Sequence, residues 1–213
     1  MLLMLAAMTA ASAQAADQPP LTAEEFTEFS MSYFEHPRPD LIERAMFFFD
    51  RSGWAETSNH QLPGMMTFSC ITHRPEQKPQ QWTTTINSLH DPAKSLLAIA
   101  VSSTPGDILA KIPSSAQKND MNWACYFASA DTTYIKNLLD VASNYGERKD
   151  KNLYLTAATA MWSLASNSRF PEVRRYLQSH TGPVAKAVLN TTQESVAEEI
   201  RNTVAEQHQK GIW

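Results

Sequence analysis

The stretch Asp131-Thr132-Thr133-Tyr134-Ile135-Lys136-Asn137-Leu138-Leu139-Asp140-Val141-Ala142-Ser143-Asn144-Tyr145-Gly146 decides the fold. Its apolar residues recur at i, i+1, i+4, i+5 and i+8, the period of one helix face. Asp131 stands where a side-chain oxygen caps a first turn, and Gly146 where a helix end favours a left-handed residue. The same pattern repeats towards both ends of the chain. Thr22 with Glu25 three residues on is a capping box, followed by Phe26, Phe29, Tyr33 and Phe34 at helical spacing. His36-Pro37-Arg38-Pro39 stops that helix, because the residue before a proline is pushed out of the α region.

Next comes the stripe Leu41, Ile42, Ala45, Met46, Phe48 and Phe49, ended by Ser52-Gly53. Residues 54–61 read as a loop, and Pro63-Gly64 opens a helix carrying Met65, Met66, Phe68, Cys70 and Ile71. Asp91-Pro92 begins another, and residues 113–119 form the most linker-like stretch before Asp120, expected as an N-cap. Glu147 to Lys151 reads as a charged turn. Leu153 to Ser166 is alanine-rich and apolar, which predicts a buried helix. After Gly182-Pro183 the chain reads as one long helix or two shorter ones, with Val196, Ile200 and Val204 as a narrow stripe.

No segment alternates at period 2 long enough to read as a strand. About ten short helices with proline-punctuated turns predict an all-α fold, an irregular α-solenoid with a compact irregular helical bundle as the alternative. Hydrophobic residues are 43% and charged residues 19%, which excludes a disordered chain, and the net charge of −4 gives no footprint for nucleic acid. With only 6 glycines among 213 residues, a glycine-cradled phosphate site is disfavoured.

The run Leu2 to Met8, followed by Ala11-Ser12-Ala13 and Ala13-Gln14-Ala15, reads as a secretory leader cleaved after Ala15, with Ala13 as second choice. It lacks the usual basic n-region, and the plain alternative is an apolar N-terminal helix. The run is too short to span a bilayer, which needs about 20 apolar residues, and every later run is broken by polar residues. The expected organisation is thus a leader over 1–15 and one all-helical domain over 16–213, located in a bacterial periplasm. In that compartment Cys70 and Cys125 are a candidate disulfide. Both also sit on apolar helix faces, where a free cysteine simply packs.

The search for chemistry is mostly negative. The histidines lack metal-ligand spacing, and no nucleophile elbow or P-loop occurs, so no metal and no cofactor are indicated. Glu35, between Phe34 and His36, is the one weak catalytic candidate, an acid among aromatics whose pKa burial would raise. Glu194, Glu198 and Glu199 read as a solvated helix face. Trp123 and Trp162 are expected in the core, and Trp213 as a frayed tail. Trp54, His60 and Trp82 fall at inter-helix loops and are the candidate binding residues, rimming a groove if those loops cluster.

Two segments carry a family likeness. They are Asp120-x-Asn122-Trp123-x-x-Tyr126-Phe127-Ala128-Ser129-x-Asp131-x-x-Tyr134-Ile135, and Trp162-Ser163-Leu164-Ala165-Ser166-Asn167 with Pro171-x-Val173-Arg174-x-Tyr176-Leu177. Over residues 25–180 the chain resembles a group of exported, all-helical proteins of Gram-negative bacteria of unknown function. In those relatives a glycine often stands where this chain has Ala130, which bears on the inter-helix turn. The resemblance implies export and a helical fold, and carries no activity to any residue. The functional expectation is a soluble periplasmic binding module for another envelope protein or peptide, acting without turnover. The alternatives are a cell-wall or glycan-active enzyme using an acidic residue, and an immunity or inhibitor protein.

Overall fold

A computed structural model describes residues 19–213, and the expected leader lies outside the described residues. Among those residues the fold is all-helical, as the sequence predicts, with twelve α-helices and no strand. They are α1 (Ala23–Ser32), α2 (Ile42–Arg51), α3 (Ser58–Thr72), α4 (Thr83–Asn87), α5 (Ala93–Ser102), α6 (Pro105–Lys111), α7 (Ala116–Ser129), α8 (Thr133–Ala142), α9 (Lys151–Asn167), α10 (Pro171–Ser179), α11 (Pro183–Leu189) and α12 (Gln193–Gln209). No described helix is long and apolar enough to cross a membrane. The chain divides into two compact units, one of residues 1–112 and 124–130, the other of 113–123 and 131–213.

The first unit is built on aromatic rings. The capping box forms as read, Glu25 N donating to Thr22 Oγ1 at 3.2 Å and Thr22 N to Glu25 Oε2 at 2.7 Å. It directs Phe26 and Phe29 inward, where Phe26 stacks on Phe48 at 4.7 Å between ring centroids and Phe29 meets Tyr33 edge-on at 5.2 Å. Phe49, Phe68, Met46 and Met66 are fully buried beside them. Offset and edge-on pairs of this kind add about 0.5–1.5 kcal/mol beyond the area they bury.

Several sequence expectations shift in this unit. Residues 58–61 are helical, because α3 starts at Ser58 and carries Pro63 inside it. Thr57 O accepts the first turn, from His60 N at 2.9 Å and Gln61 N at 3.0 Å. Pro63 lacks the N–H that would bond Asn59 O, and Asn59 is exposed, where water can take that carbonyl. Gly64 is where α3 touches α2: a Cβ there would lie 2.5 Å from Phe49 Cε2.

The second unit centres on α9, whose alanines Ala157, Ala158, Ala160 and Ala165 are all buried. Small side chains let α8 and α12 pack against it. Two buried polar side chains beside it are paired: Asn119 Nδ2 donates to Thr156 O and Thr159 Oγ1, both at 2.9 Å, and Trp123 Nε1 donates to Ser163 Oγ at 2.9 Å. The expected cap at Asp120 is corrected. Helix α7 begins at Ala116, and Ser115 Oγ accepts from Lys118 N at 3.2 Å. The tail after Gly182 is two helices, α11 and α12, the latter capped by Thr192. On α12, Thr203 and Gln207 are buried with Val196, while Ile200 and Val204 are only half-buried.

Ala130 has φ 60°, the left-handed region, at an exposed position before Asp131. That conformation costs a residue with a Cβ about 1–2 kcal/mol, while glycine loses more chain entropy on folding, about 0.4–1 kcal/mol. We expect Ala130→Gly to stabilise by about 0.5–1 kcal/mol in urea unfolding. Gly64→Ala is expected to do the reverse. Overpacking against Phe49, which has nowhere to swing, outweighs the helix propensity gained, for a net loss of about 1–2 kcal/mol.

Tyr33 is fully buried and its hydroxyl has no hydrogen-bond partner among the described residues. Burial pushes its pKa up to about 12 from 10.0. The unfolded chain therefore releases this proton first, and stability falls as pH rises above 10.0 until the folded value of about 12 is passed. Tyr33→Phe should remove its share of that alkaline loss and add about 1 kcal/mol near neutral pH by deleting an unpaired hydroxyl. Urea midpoints at neutral pH and above pH 10 for both proteins check both effects.

Candidate functional site

Cys70 and Cys125 are joined by a disulfide, with Cα atoms 5.2 Å apart and a sequence separation of 55. Both side chains are buried, at 3% and 0% exposed, so the apolar faces that argued for packed thiols hold the bridge. The segment around Cys125 is tied to the first unit by further contacts. Phe34 N donates to Phe127 O at 3.1 Å and Arg74 Nη1 to Ala128 O at 3.0 Å.

Of the three candidate binding residues, two come together. Trp54 sits in a tight turn after α2, where Glu56 N and Thr57 Oγ1 donate to Gly53 O at 3.2 and 2.9 Å. Its half-buried indole rests edge-on against Phe26 at 5.1 Å and Phe48 at 5.4 Å. His60, exposed on the first turn of α3, stacks on the indole at 4.4 Å with 26° between planes. The helical start at Ser58, missed from sequence, brings this imidazole over that ring. Trp82 does not take part in an exposed rim: it is 8% exposed, packed in the 3₁₀ turn Pro79–Trp82. Proline at the first position of that turn winds the chain so that the ring faces inward.

Glu35 is exposed in the turn after α1. Tyr33 and Phe34 on either side turn inward, Phe34 onto Tyr126 at 5.7 Å, so the carboxylate does not share their enclosure. Among the described residues no group of three or more His, Cys, Asp and Glu is placed to hold a metal ion.

The second unit holds two clefts the sequence reading missed. In one, Arg148 lies over the rings of Tyr154 at 4.5 Å and Tyr145 at 5.2 Å. It donates to Glu199 Oε1 at 2.8 Å and Thr203 Oγ1 at 3.1 Å, pinning α12. Burial, with Tyr154 and Glu199 beside it, pushes the Tyr145 hydroxyl well above the usual tyrosine value. Trp213 is not a frayed tail, since its ring packs on Tyr154 at 5.3 Å. This cleft encloses about 730 Å³ and is lined by charged and amide side chains, Asn202, Glu206 and Gln207 among them.

The other cleft, about 200 Å³, is lined by Trp162, Gln193, Glu194, Ala197 and Arg201. Trp162 is 38% exposed, against the expectation of a core position. It belongs to the row Leu155, Thr159, Trp162 and Ser166, which lies off the alanine face of α9 and is not fully buried anywhere along its length. That i, i+4, i+7, i+11 spacing was the available signal.

Removing the cross-link should be costly. By the chain-entropy account a loop of this size contributes about 4 kcal/mol, a large share of the 5–15 kcal/mol typical of a domain. The double variant Cys70→Ser, Cys125→Ser is expected to lose about that much. The check is urea unfolding of oxidised, reduced and variant protein, and an unchanged midpoint on reduction would contradict the estimate.

No family model, curated protein or solved structure matches the chain, so these side chains carry the functional argument.

Proposed function

We propose that this chain is an exported helical binding module of the bacterial envelope, recognising a protein or peptide partner without turnover. The observation that carries the binding reading is the Trp54–His60 stack. A half-buried indole backed by Phe26 and Phe48 is a rigid anchor, and the exposed imidazole beside it supplies hydrogen bonding. Binding energy at protein interfaces concentrates on aromatic anchors of this kind, which lose little freedom on docking. The Cys70–Cys125 disulfide supports the compartment, because buried cross-links persist in oxidising compartments and are rare in the cytosol. The small-residue pattern ending at Ala15 supports export on the same terms. The exposure of Glu35, with no buried acid beside it in the turn, weighs for binding over glycan hydrolysis.

Affinity capture with the tagged chain from the envelope of its own cells tests the reading. We expect a reproducible protein partner on the wild type and its loss, by about tenfold or more in affinity, from Trp54→Ala with His60→Ala. His60→Ala alone guards against a Trp54 variant that loosens the fold. A partner held equally by all variants, or none at all, overturns the proposal.

A further inference from the structure

The cleft at Trp162 has a chemistry of its own. Its four polar lining side chains have no partner among the described residues: no hydrogen bond or ion pair there engages Trp162, Gln193, Glu194 or Arg201. Glu194 and Arg201 carry opposite charges yet stand seven residues apart on α12, about 10 Å along the axis. That is two turns, beyond the i, i+4 spacing at which they would neutralise each other. Between them Ala197 leaves room where a larger residue would fill the cleft, and the indole of Trp162 faces it from α9. A tryptophan 38% exposed, on a helix otherwise packed from Tyr154 to Ala165 apart from its Leu155–Thr159 side, is a costly thing to leave uncovered.

We infer that this cleft is a binding subsite for an uncharged saccharide. The flat, electron-rich indole face accepts the C–H face of a pyranose, whose hydrogens carry partial positive charge. The hydroxyls around a sugar ring both donate and accept. Glu194 accepts, Arg201 and the indole N–H donate, and the Gln193 amide does both. The two charges sum to zero, so neither sign is in excess across the site. A fused planar ring flanked by polar forks therefore fits a neutral polyhydroxylated ring better than an anion or a cation. This inference is independent of the Trp54–His60 reading, which lies on other residues and concerns a protein partner.

The test is a titration of the ¹⁵N-labelled full chain with chitotriose and with maltotriose, following the indole N–H signals, that of Trp162 being assigned through Trp162→Phe. The expected result is a saturable shift of the Trp162 signal with at least one of the sugars. Calorimetry should then show affinity falling about tenfold or more in Trp162→Ala and in Arg201→Ala. Arg201 is exposed and unpaired, so its variant keeps the test meaningful should Trp162→Ala destabilise the unit. No shift with either sugar at millimolar concentration overturns the inference. So does sugar binding that survives both substitutions, since it would lie elsewhere. A shift produced by the zwitterion glycylglycine but by neither sugar overturns it as well, and assigns the opposed charges of Glu194 and Arg201 to a peptide.

Discussion

The first unit depends on one covalent constraint. Its chain is discontinuous, running to Ile112 and then taking in only residues 124–130. Seven residues cannot by themselves hold a place in a core against the entropy of ordering them, which runs to about 1–2 kcal/mol per residue for the backbone alone. The bond from Cys125 to Cys70 removes most of that choice, because the segment stays near α3 in the unfolded chain too. Two backbone carbonyls at the end of α7, those of Phe127 and Ala128, then find donors in Phe34 and Arg74. Tyr126 meets Phe34, and the aromatic core closes. The bridge makes these weaker contacts worth having, since each acts on a segment already delivered.

The second unit reaches its order by a different route. It has few aromatic core residues and relies on close helix approach across the alanines of α9, with Asn119 and Trp123 bonded to that helix. Arg148 is the fastener. Its charge is offset by Glu199, its flat guanidinium lies on Tyr154, and Thr203 takes a second N–H. The arrangement explains why α12 buries a threonine where the apolar pattern pointed to valine and isoleucine. A guanidinium needs oxygen acceptors, and an apolar side chain in place of Thr203 would take one of them away.

The helical class and most helix boundaries were legible because capping and proline signals are local. Thr22 with Glu25 and His36-Pro37 act within four residues of themselves, and each does what its chemistry predicts. The caps at Thr104 and Asp150 escape the sequence reading, the first reading as a stop and the second as part of a charged turn. The other failures share a cause. Whether Pro63 starts a helix or sits inside one depends on whether the turn before it meets water. Whether Trp82 or Trp162 is covered depends on which helix arrives opposite, and that is not written in the flanking residues. Arg148 read as part of a charged turn because its partners lie 51 and 55 positions away. The cysteine pair was legible only as a possibility, since two apolar faces bearing one cysteine each describe a bridge and a pair of packed thiols equally well.

That difference between local and distant signals also bears on function. Of the five tryptophans, Trp123 is sealed in a core and spends its N–H on Ser163, while Trp82 is buried with its N–H unpaired. Trp213 closes over Tyr154. These three have their large apolar surfaces used by the fold. Trp54 and Trp162 keep part of theirs uncovered, and they differ in an instructive way. Trp54 is braced on two phenylalanines and topped by an imidazole, so its geometry is set before any partner arrives. Trp162 stands in a recess whose polar side chains have no partner among the described residues. A pre-set aromatic ridge suits a flat partner, and a recess with free donors and acceptors suits a small ring with hydroxyls. The fold gains nothing from either exposure, which is the physical reason to look for the chain's work at these two rings and not at the scattered carboxylates.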